Sequence, residues 1–291
     1  DVENPASITS DPAHDEPAAR TYGAWIAGQV RSGNFDGAGS GVGFETDGLS
    51  MGVDIDLAAD FTLGAALGYG RDDSEIGERG SYVQGRATSY LGYASWHPGR
   101  FFVDGLAGYQ QLAFDLRRAL PDGFAGGSRD GGQWFASLVL GADLPAGDGQ
   151  LTPYARMDIA NASLDAYAES GHATRALRFE AMDLDTRTGN LGARYDFRLA
   201  MAWGTLTPQL RAEYQYDFAD PQAAVMRYAD LVQGLPYRMD GTRLDRSRLV
   251  FGAGITLDWN GGLGIRVEYR TESGSDNQRD QNVSVNVQKQ F

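Results

Sequence analysis

Apolar residues alternate with polar or small residues along most of the chain, and this period of two limits the fold more than any other feature. From Leu49 to Leu57, every odd position is apolar and every even position is small or charged. The pattern resumes from Phe61 to Tyr69 after a three-residue break. Successive side chains of a β-strand point to opposite faces, so each stretch predicts a strand, and the two together predict a hairpin.

The same alternation predicts twelve strands. Their ranges are 21–31, 45–57, 61–72, 82–96, 101–116, 131–144, 150–163, 184–199, 203–217, 244–259, 263–274 and 281–291. In the first, fourth and fifth strands, Trp25, Tyr90 and Phe102 each have an apolar neighbour in sequence. The register of these three strands is therefore left open.

The connections between the predicted strands alternate in length. Short turns are predicted at 58–60, 97–100, 145–149, 200–202 and 260–262. Longer polar loops are predicted at 32–44, 73–81, 117–130, 164–183 and 218–243, with a shorter one at 275–280. In an up-and-down arrangement this pattern puts all the short turns at one end of the sheet.

A soluble β-sandwich also alternates, but three features favour a barrel in a membrane. Several predicted strands exceed ten residues, whereas strands are commonly about five or six residues long. Long and short connections alternate, as they do in outer-membrane barrels. Aromatic residues that suit an interfacial girdle lie beside the short turns or at the end of the sequence: Phe61, Trp96, Phe101, Trp203, Trp259 and Phe291.

Lipid cannot form hydrogen bonds with the unpaired backbone N–H and C=O groups of an open sheet edge, so such a sheet must close into a barrel. The predicted fold class is therefore all-β, a transmembrane antiparallel barrel of about twelve strands with short periplasmic turns and longer extracellular loops. The predicted domain boundaries are 1–20 for a mostly irregular linker or plug and 21–291 for the barrel.

Composition excludes several functions. The chain has no Cys, which excludes disulfides, thiol catalysis and Cys-ligated zinc, and its net charge of −14 argues against nucleic acid. No apolar run approaches the roughly 20 residues of a membrane-spanning helix. The first residues lack the basic and apolar regions of a signal peptide, so we expect a mature chain or a fragment of one. Neither a cofactor nor a metal is predicted.

The polar faces of the predicted strands would line the barrel interior. Opposite charges recur two positions apart within single strands, so they can pair there and hold water. The predicted pore-lining residues are Asp54, Asp56, Arg156, Asp158, Arg194, Asp196, Arg198, Arg211, Glu213, Asp258, Arg266, Glu268 and Arg270.

Several segments resemble a known family. They are 151–158 (LTPYARMD), 167–171 (YAESG), 244–255 (LDRSRLVFGAGI), 263–270 (LGIRVEYR) and the final Phe291. Together, over residues 21–291, the chain resembles the translocator domain of autotransporters, the type V secretion proteins of Gram-negative bacteria. The resemblance implies a twelve-stranded barrel in the bacterial outer membrane at the C-terminus of a longer precursor, and we expect this barrel to be monomeric. It would support export of an N-terminal passenger to the cell surface and anchor it.

The resemblance also implies partners. These are outer-membrane lipid, the passenger and the barrel-assembly machinery, which reads an aromatic end of the last strand. The predicted assembly signal is Val283, Val285, Val287 and Phe291, with an interruption at Lys289. The family usually has a helical linker in the pore, whereas Pro5, Pro12 and Pro17 disfavour a long helix in residues 1–20.

Two other functions remain open from the residues alone. One is a free-standing outer-membrane channel. The other is a hydrolase on the barrel rim, which needs a base from the three histidines His14, His97 and His172. His172 lies near Glu169 and other loop polar residues, but no Gly-x-Ser-x-Gly motif occurs there. The acidic segments 71–75 and 275–277 lack the spacing of a calcium loop.

Overall fold

A computed structural model describes residues 21–37, 40–77, 79–231, 234–240, 246–274 and 279–291. Within these ranges, no helix has the length and apolar character needed to cross a bilayer. Twelve long strands make up the main sheet. They are β1 Tyr22–Gly37, β2 Ser40–Ala58, β3 Phe61–Ile76, β4 Ser81–Trp96, β5 Phe101–Leu120, β6 Gly123–Ala142, β7 Gly149–Leu164, β8 Met182–Asp196, β9 Gly204–Asp217, β10 Ser247–Trp259, β11 Leu263–Ser273 and β12 Arg279–Gln290.

Each strand pairs antiparallel with its neighbours in the chain, and β12 closes the sheet on β1. At this closure Val30 lies opposite Val283 and Ile26 opposite Val287. The predicted fold class and the count of twelve barrel strands are confirmed. The predicted linker or plug, residues 1–20, lies outside the described residues.

The first six strands extend farther from the short turns than predicted. Strands β5 and β6 are 20 residues each and form one tall hairpin, where the sequence predicts a loop over 117–130. The predicted loops 32–44 and 73–81 are likewise largely strand in β1, β2, β3 and β4. Beyond the membrane both faces of a hairpin meet water, so polar residues there do not end the strand. The sequence prediction mistook that polarity for irregular structure.

Two rows of outward-facing aromatic residues bound the apolar surface. The predicted row lies at the short turns, and in it the rings of Trp203 and Trp259 are 5.3 Å apart. The second row was not predicted, and it lies at the other end of the apolar surface: Tyr69, Tyr90, Tyr109, Trp134, Tyr214 and Tyr269. Between Phe61 and Tyr69, β3 exposes an apolar face across a length that suits a tilted strand of about 9–11 residues in the membrane. We call the second row the outer aromatic belt.

The two longest loops form a second, smaller sheet, which we call the cap sheet. Its strands are Tyr167–Ala168, Leu177–Phe179, Ala223–Tyr228 and Tyr237–Asp240. It rests on the inward face of the tall β5–β6 hairpin. Arg118 of the hairpin donates to both carboxylate oxygens of the buried Glu169, at 2.9 and 2.5 Å. The cap sheet is thus fixed to the barrel on the side away from the short turns.

Candidate functional site: the barrel lumen

The inward faces of β7 to β11 form what we call the charged wall of the lumen. At its centre is Glu213, whose side chain is completely buried. Glu213 forms ion pairs with Arg211 at 3.3 Å and Arg156 at 3.5 Å, and Tyr154 donates its hydroxyl to the same carboxylate at 2.5 Å. Burial of this charge is tolerated because several partners surround it.

The network continues on both sides of Glu213. Arg211 also lies 3.3 Å from Glu268, and Gln209 donates to that second carboxylate at 3.2 Å. In the other direction, Arg156 pairs with Asp158 at 2.9 Å. Ser137 and Asn190 also donate to Asp158, at 2.6 and 3.0 Å. Acidic and basic groups of β7, β9 and β11 therefore form one continuous network across the wall.

Further polar pairs lie at each end of the wall. Toward the short turns, Arg194 pairs with the buried Asp196 at 2.8 Å, and Arg266 donates to Thr256 at 3.1 Å. Toward the other end, Arg31 of β1 pairs with Asp280 of β12. The charged wall thus runs along the lumen and meets the strands that close the barrel.

The inward faces of β1 to β6 form a contrasting apolar wall. Trp25, Ala66, Tyr93, Leu106 and Phe135 are buried together in one cluster. The indole N–H of Trp25 donates to the Tyr93 hydroxyl at 2.6 Å, and this hydroxyl donates to a carboxylate oxygen of Asp54 at 2.9 Å. The polar atoms of the two aromatic side chains are therefore satisfied within the cluster.

Glycines make room for the aromatic side chains of the lumen. In five places an inward aromatic residue lies directly opposite a glycine: Trp25 and Gly52, Tyr93 and Gly64, Phe102 and Gly141, Phe135 and Gly108, and Tyr154 and Gly192. A Cβ atom added to Gly64 would lie 2.1 Å from the Tyr93 ring. The rings cover the bare backbone of the glycines, which is a known way to stabilise glycine in strands.

The two walls enclose a cavity of about 510 Å³. Trp25, Leu106 and Phe135 line it on one side, and Arg156 and Arg211 on the other. A molecule in this cavity meets apolar surface on one side and guanidinium and carboxylate groups on the other. Such a lumen offers contacts to both apolar and polar side chains.

The structure gives each predicted pore-lining residue a position. Seven of them border this cavity: Arg156, Asp158, Arg194, Arg211, Arg266, Glu268 and Arg270. Glu213 borders a second cavity of about 80 Å³ in the charged wall. Asp56 accepts a hydrogen bond from Thr62 at 2.6 Å, near the end of β2. Asp258 lies near the end of β10, and Arg198 is exposed beyond the last residue of β8, in a short turn.

The sequence analysis did not identify the apolar wall as part of the lumen. Inward residues of β1 to β6 are often aromatic, alanine or glycine, so both faces of these strands look apolar or small. Inward glycines such as Gly52, Gly64 and Gly108 were a signal in the sequence, although the aromatic residue that each one faces follows only from the cross-strand register.

The predicted assembly signal lies on the lipid side of the barrel. Val283 and Val285 are 44% and 40% exposed and point outward from β12. Phe291 follows β12 and is 75% exposed, and its N–H donates to the Tyr22 carbonyl at 2.9 Å. Lys289 donates to the Gly261 carbonyl and lies 5.7 Å from the centre of the Phe291 ring.

The two histidines in the described residues are bonded to carboxylates. Nε2 of His97 lies 3.2 Å from Asp104, and Nε2 of His172 lies 3.3 Å from Asp122 at the tip of the tall hairpin. The hydrogen bond from His172, together with Arg175, lowers the pKa of the Asp122 carboxyl. Among the described residues, no hydrogen bond joins either ring to a hydroxyl, although Ser95 donates to the same Asp104 oxygen that faces His97. No group of three His, Asp or Glu side chains that could hold a metal ion is found in the described residues.

Comparisons with known proteins agree with this architecture. A family model described as the autotransporter β-domain matches residues 24–270. The translocator domain of autotransporter NalP from Neisseria meningitidis has a TM-score of 0.77 and 18% identity, over 95% of this chain and 90% of that one. The β domain of the Bordetella autotransporter BrkA has a TM-score of 0.69 and 19% identity, over 93% of this chain and 99% of that one.

Curated relatives are more distant and much longer. Outer membrane protein A of Rickettsia conorii (strain ATCC VR-613 / Malish 7) is 25% identical over 260 residues, 83% of this chain but 13% of that protein. Lipase 1 of Photorhabdus luminescens is 24% identical over 179 residues, 59% of this chain and 27% of that protein. The chain therefore spans about an eighth of the length of the first of these relatives.

Proposed function

This chain belongs to the autotransporter β-domain family and is a translocator barrel of the bacterial outer membrane, and we propose that it exports an N-terminal passenger through its lumen. The observation that carries the proposal is the cavity of about 510 Å³ inside a closed barrel, bordered by paired charges. These charges hold water inside the bilayer and give a polypeptide a hydrated route past the lipid.

The position of the first barrel strand supports this direction of export. Strand β1 begins at the short-turn end, where the Thr21 carbonyl accepts a hydrogen bond from the Asp56 N–H at 3.0 Å. Short turns are periplasmic in barrels of this kind, so a segment attached before β1 meets the lumen at its periplasmic mouth. In this proposal, residues 1–20 link the passenger to the barrel.

The two walls would serve different parts of a passing chain. An extended polypeptide presents both apolar side chains and polar backbone groups. A wholly charged lumen would provide no apolar surface for the apolar side chains to contact. The cluster around Trp25 and Phe135 supplies an apolar surface, while Arg156 and Arg211 face it across the cavity. Export needs no cofactor in this proposal, because folding of the passenger outside would drive it.

Assembly and membrane anchoring complete the proposal. The outward side chains of Val283, Val285 and Val287 and the exposed Phe291 would be read by the barrel-assembly machinery, and the apolar outer surface would contact outer-membrane lipid. The barrel would act as a monomer, since its sheet closes on itself and leaves no long strand edge for a partner.

We assign no catalytic role to the barrel. Members of this family are transport barrels, and the Photorhabdus lipase is a longer protein of which this chain matches about a quarter. His97 and His172 face carboxylates rather than a hydroxyl nucleophile, which weighs against a rim hydrolase. A free-standing channel is the remaining competitor, and the export experiment separates it from a translocator.

The test uses the full chain with a reporter fused before Asp1. We expect the reporter to become accessible to protease on intact cells. Replacing Ala160, which borders the cavity, with Trp should reduce this exposure several-fold because the ring narrows the route. The matched control is Ala253→Trp on the lipid face of β10, which should export normally. Equal export by both variants, with both barrels folded, would contradict passage through this lumen.

A further inference from the structure

The larger cavity of the lumen has the size and lining of a small-molecule site. Its volume of about 510 Å³ falls within the roughly 300–1,000 Å³ of ligand pockets. Such pockets combine mainly apolar walls with a few polar groups that orient the ligand. Here Trp25, Leu106 and Phe135 lie on one side and guanidinium groups lie on the other. The two sides of the cavity therefore suit different parts of one amphipathic molecule.

Two arginines converge on the charged side of this cavity. Arg156 and Arg211 pair with the same carboxylate, that of Glu213, at 3.5 and 3.3 Å, so their guanidinium groups lie close together. The Glu213 side chain is completely buried, whereas those of Arg156 and Arg211 are 17% and 11% exposed and border the cavity. A molecule in the cavity would therefore meet the two guanidinium groups and not the carboxylate beneath them.

Both guanidinium groups have N–H donors available. A guanidinium carries five N–H groups. Among the described residues, Arg156 donates a hydrogen bond only from Nε, to Asp158 at 2.9 Å. Arg211 donates only from Nη1, to Glu213 at 3.3 Å. Most N–H groups of the two side chains can therefore donate to a further anion in the cavity.

The charges around these two arginines favour an anion over a cation. Five arginines of β7 to β11 border the cavity, and four carboxylates lie among them: Asp158, Asp196, Glu213 and Glu268. Two further pairs toward the closure of the barrel, Arg31 with Asp280 and Arg248 with Glu272, cancel. This side of the cavity thus carries one positive charge in excess, although the whole chain has a net charge of −14.

Two other carboxylates border the cavity on strands away from this group. They are Asp72 of β3 and Asp104 of β5. Each accepts a hydrogen bond from a hydroxyl group, that of Thr46 at 2.7 Å and that of Ser95 at 2.6 Å. Both carboxylates are therefore already bonded within the wall of β1 to β6.

From this geometry we infer that the lumen binds an anionic amphiphile, a medium-chain alkyl carboxylate, when no polypeptide occupies it. The carboxylate would accept hydrogen bonds from Arg156 and Arg211, and such charge-assisted bonds are roughly twice as strong as neutral ones. The alkyl chain would cross the cavity and pack against Trp25, Leu106 and Phe135, which removes apolar surface from water. This binding does not depend on passenger export, although both would use the same lumen.

The test uses the purified 291-residue chain in lipid nanodiscs, because detergents are themselves amphiphiles. Replacing Trp96, Trp134, Trp203 and Trp259 with Phe leaves Trp25 as the single tryptophan. The probe is ω-bromoundecanoate, whose bromine quenches a nearby tryptophan, and ω-bromoundecanol is the neutral control with the same alkyl chain. We expect saturable quenching of Trp25 fluorescence, with an affinity for the carboxylate about tenfold or more above that for the alcohol.

Substitutions on each side of the cavity separate the two parts of the site. Arg156→Gln should weaken binding of the carboxylate about tenfold and leave that of the alcohol nearly unchanged. Arg156→Lys keeps the charge beside Glu213 and replaces the glutamine variant if that one does not fold. Ala160→Phe, which fills the cavity beside the Trp25 cluster, should abolish quenching by both probes. The matched controls are Arg187→Gln and Ala253→Phe on the outward faces of β8 and β10.

Three results would overturn the inference. The first is equal affinity of the two probes for the single-tryptophan chain. The second is quenching of Trp25 that survives Ala160→Phe. The third is no quenching of Trp25 at probe concentrations that quench a chain whose single tryptophan is Trp134 on the lipid face. Heat-modifiable gel migration would establish that each variant is a folded barrel. No passenger takes part, so the result is independent of the export experiment.

Discussion

The charged wall on β7 to β11 and the apolar wall on β1 to β6 are parts of one antiparallel barrel, yet different side-chain interactions stabilise them. In the charged wall, Glu213 and Glu268 are buried among arginines and depend on those partners. In the apolar wall, Trp25, Tyr93 and Phe135 fill spaces left by glycines. The inward face of a small barrel can therefore be stabilised either by charge pairing or by packing.

The two walls should therefore respond to different substitutions. The largest effect is expected from Glu213→Gln in the charged wall. It leaves Arg156 and Arg211 short of a buried partner, and breaking a buried pair costs about 3–5 kcal/mol. The free energy of unfolding from lipid vesicles in urea would measure the loss.

The control for this change is Glu180→Gln, which breaks an exposed pair with Arg227 on the cap sheet. Its cost should be below about 1 kcal/mol. Similar costs for both substitutions would show that the charged wall does not depend on its buried pairs.

The second prediction separates the lipid face from the lumen face of β2. Val53 is 61% exposed at the middle of the outward apolar run, and Val53→Arg should cost about 2–4 kcal/mol in the bilayer. Ser50 borders the lumen cavity, so Ser50→Arg should cost much less. Equal costs in the same vesicle assay would contradict the assigned faces.

The same comparison of lipid and lumen faces would be less clear on β10. An arginine in place of Leu257 or Gly252 would sit on the lipid and lumen faces respectively. However, a Cβ atom at Gly252 would already lie 3.1 Å from Arg270 and 3.2 Å from Glu268. An arginine at position 252 would add a third positive charge beside Arg211 and Arg270. Gly252→Arg should therefore also destabilise the barrel, although it lies on the lumen face.

The third prediction concerns the packing of the apolar wall. Gly64→Ala forces the Tyr93 ring to move, and overpacking of this kind costs about 1–3 kcal/mol. Gly92 lies on the neighbouring strand and faces outward, with its nearest atom 3.8 Å from the added Cβ. Gly92→Ala should leave stability nearly unchanged, and a matching loss at Gly92 would mean that the effect of Gly64 is not caused by Tyr93.

The smallest predicted effect tests the hydrogen bonds inside the apolar wall. Trp25→Phe keeps most of the ring but removes the indole N–H that donates to Tyr93, so it should cost about 0.5–1.5 kcal/mol. Trp134→Phe on the outer aromatic belt is the control, because Trp134 is 67% exposed toward lipid. A smaller loss of unfolding free energy for Trp25→Phe than for Trp134→Phe would show that the hydrogen bond to Tyr93 does not stabilise the barrel.

Much of this architecture follows from the sequence, and the reasons are local. Arg194, Asp196, Leu191 and Ala193 alternate so clearly that the faces of β8 can be assigned without a structure. The apolar wall is different, because Trp25 and Phe102 have apolar neighbours and both faces of their strands look alike. Only cross-strand register reveals that these rings face Gly52 and Gly141 in the lumen.

Strand length was the other feature that the sequence did not reveal. Residues 117–130 are polar because they are exposed to water. A loop and a hairpin that extends beyond the membrane are both exposed in this way, so polarity alone does not distinguish them. The Arg118 ion pair with Glu169 shows why the hairpin is ordered, since it supports the cap sheet. That contact joins residues 51 positions apart in sequence and has no local signature.

If a passenger crosses the membrane through this lumen, residues that face the lumen should cross-link to it during export. A photoreactive amino acid would replace Ala27, which borders the cavity, or Ala24, which faces outward three residues earlier on β1. The chain would carry a reporter before Asp1 and be irradiated while export is under way. We predict cross-links to the reporter from position 27 and none from position 24. Cross-links from position 24 alone, or from neither position while the reporter still reaches the surface, would contradict the claim.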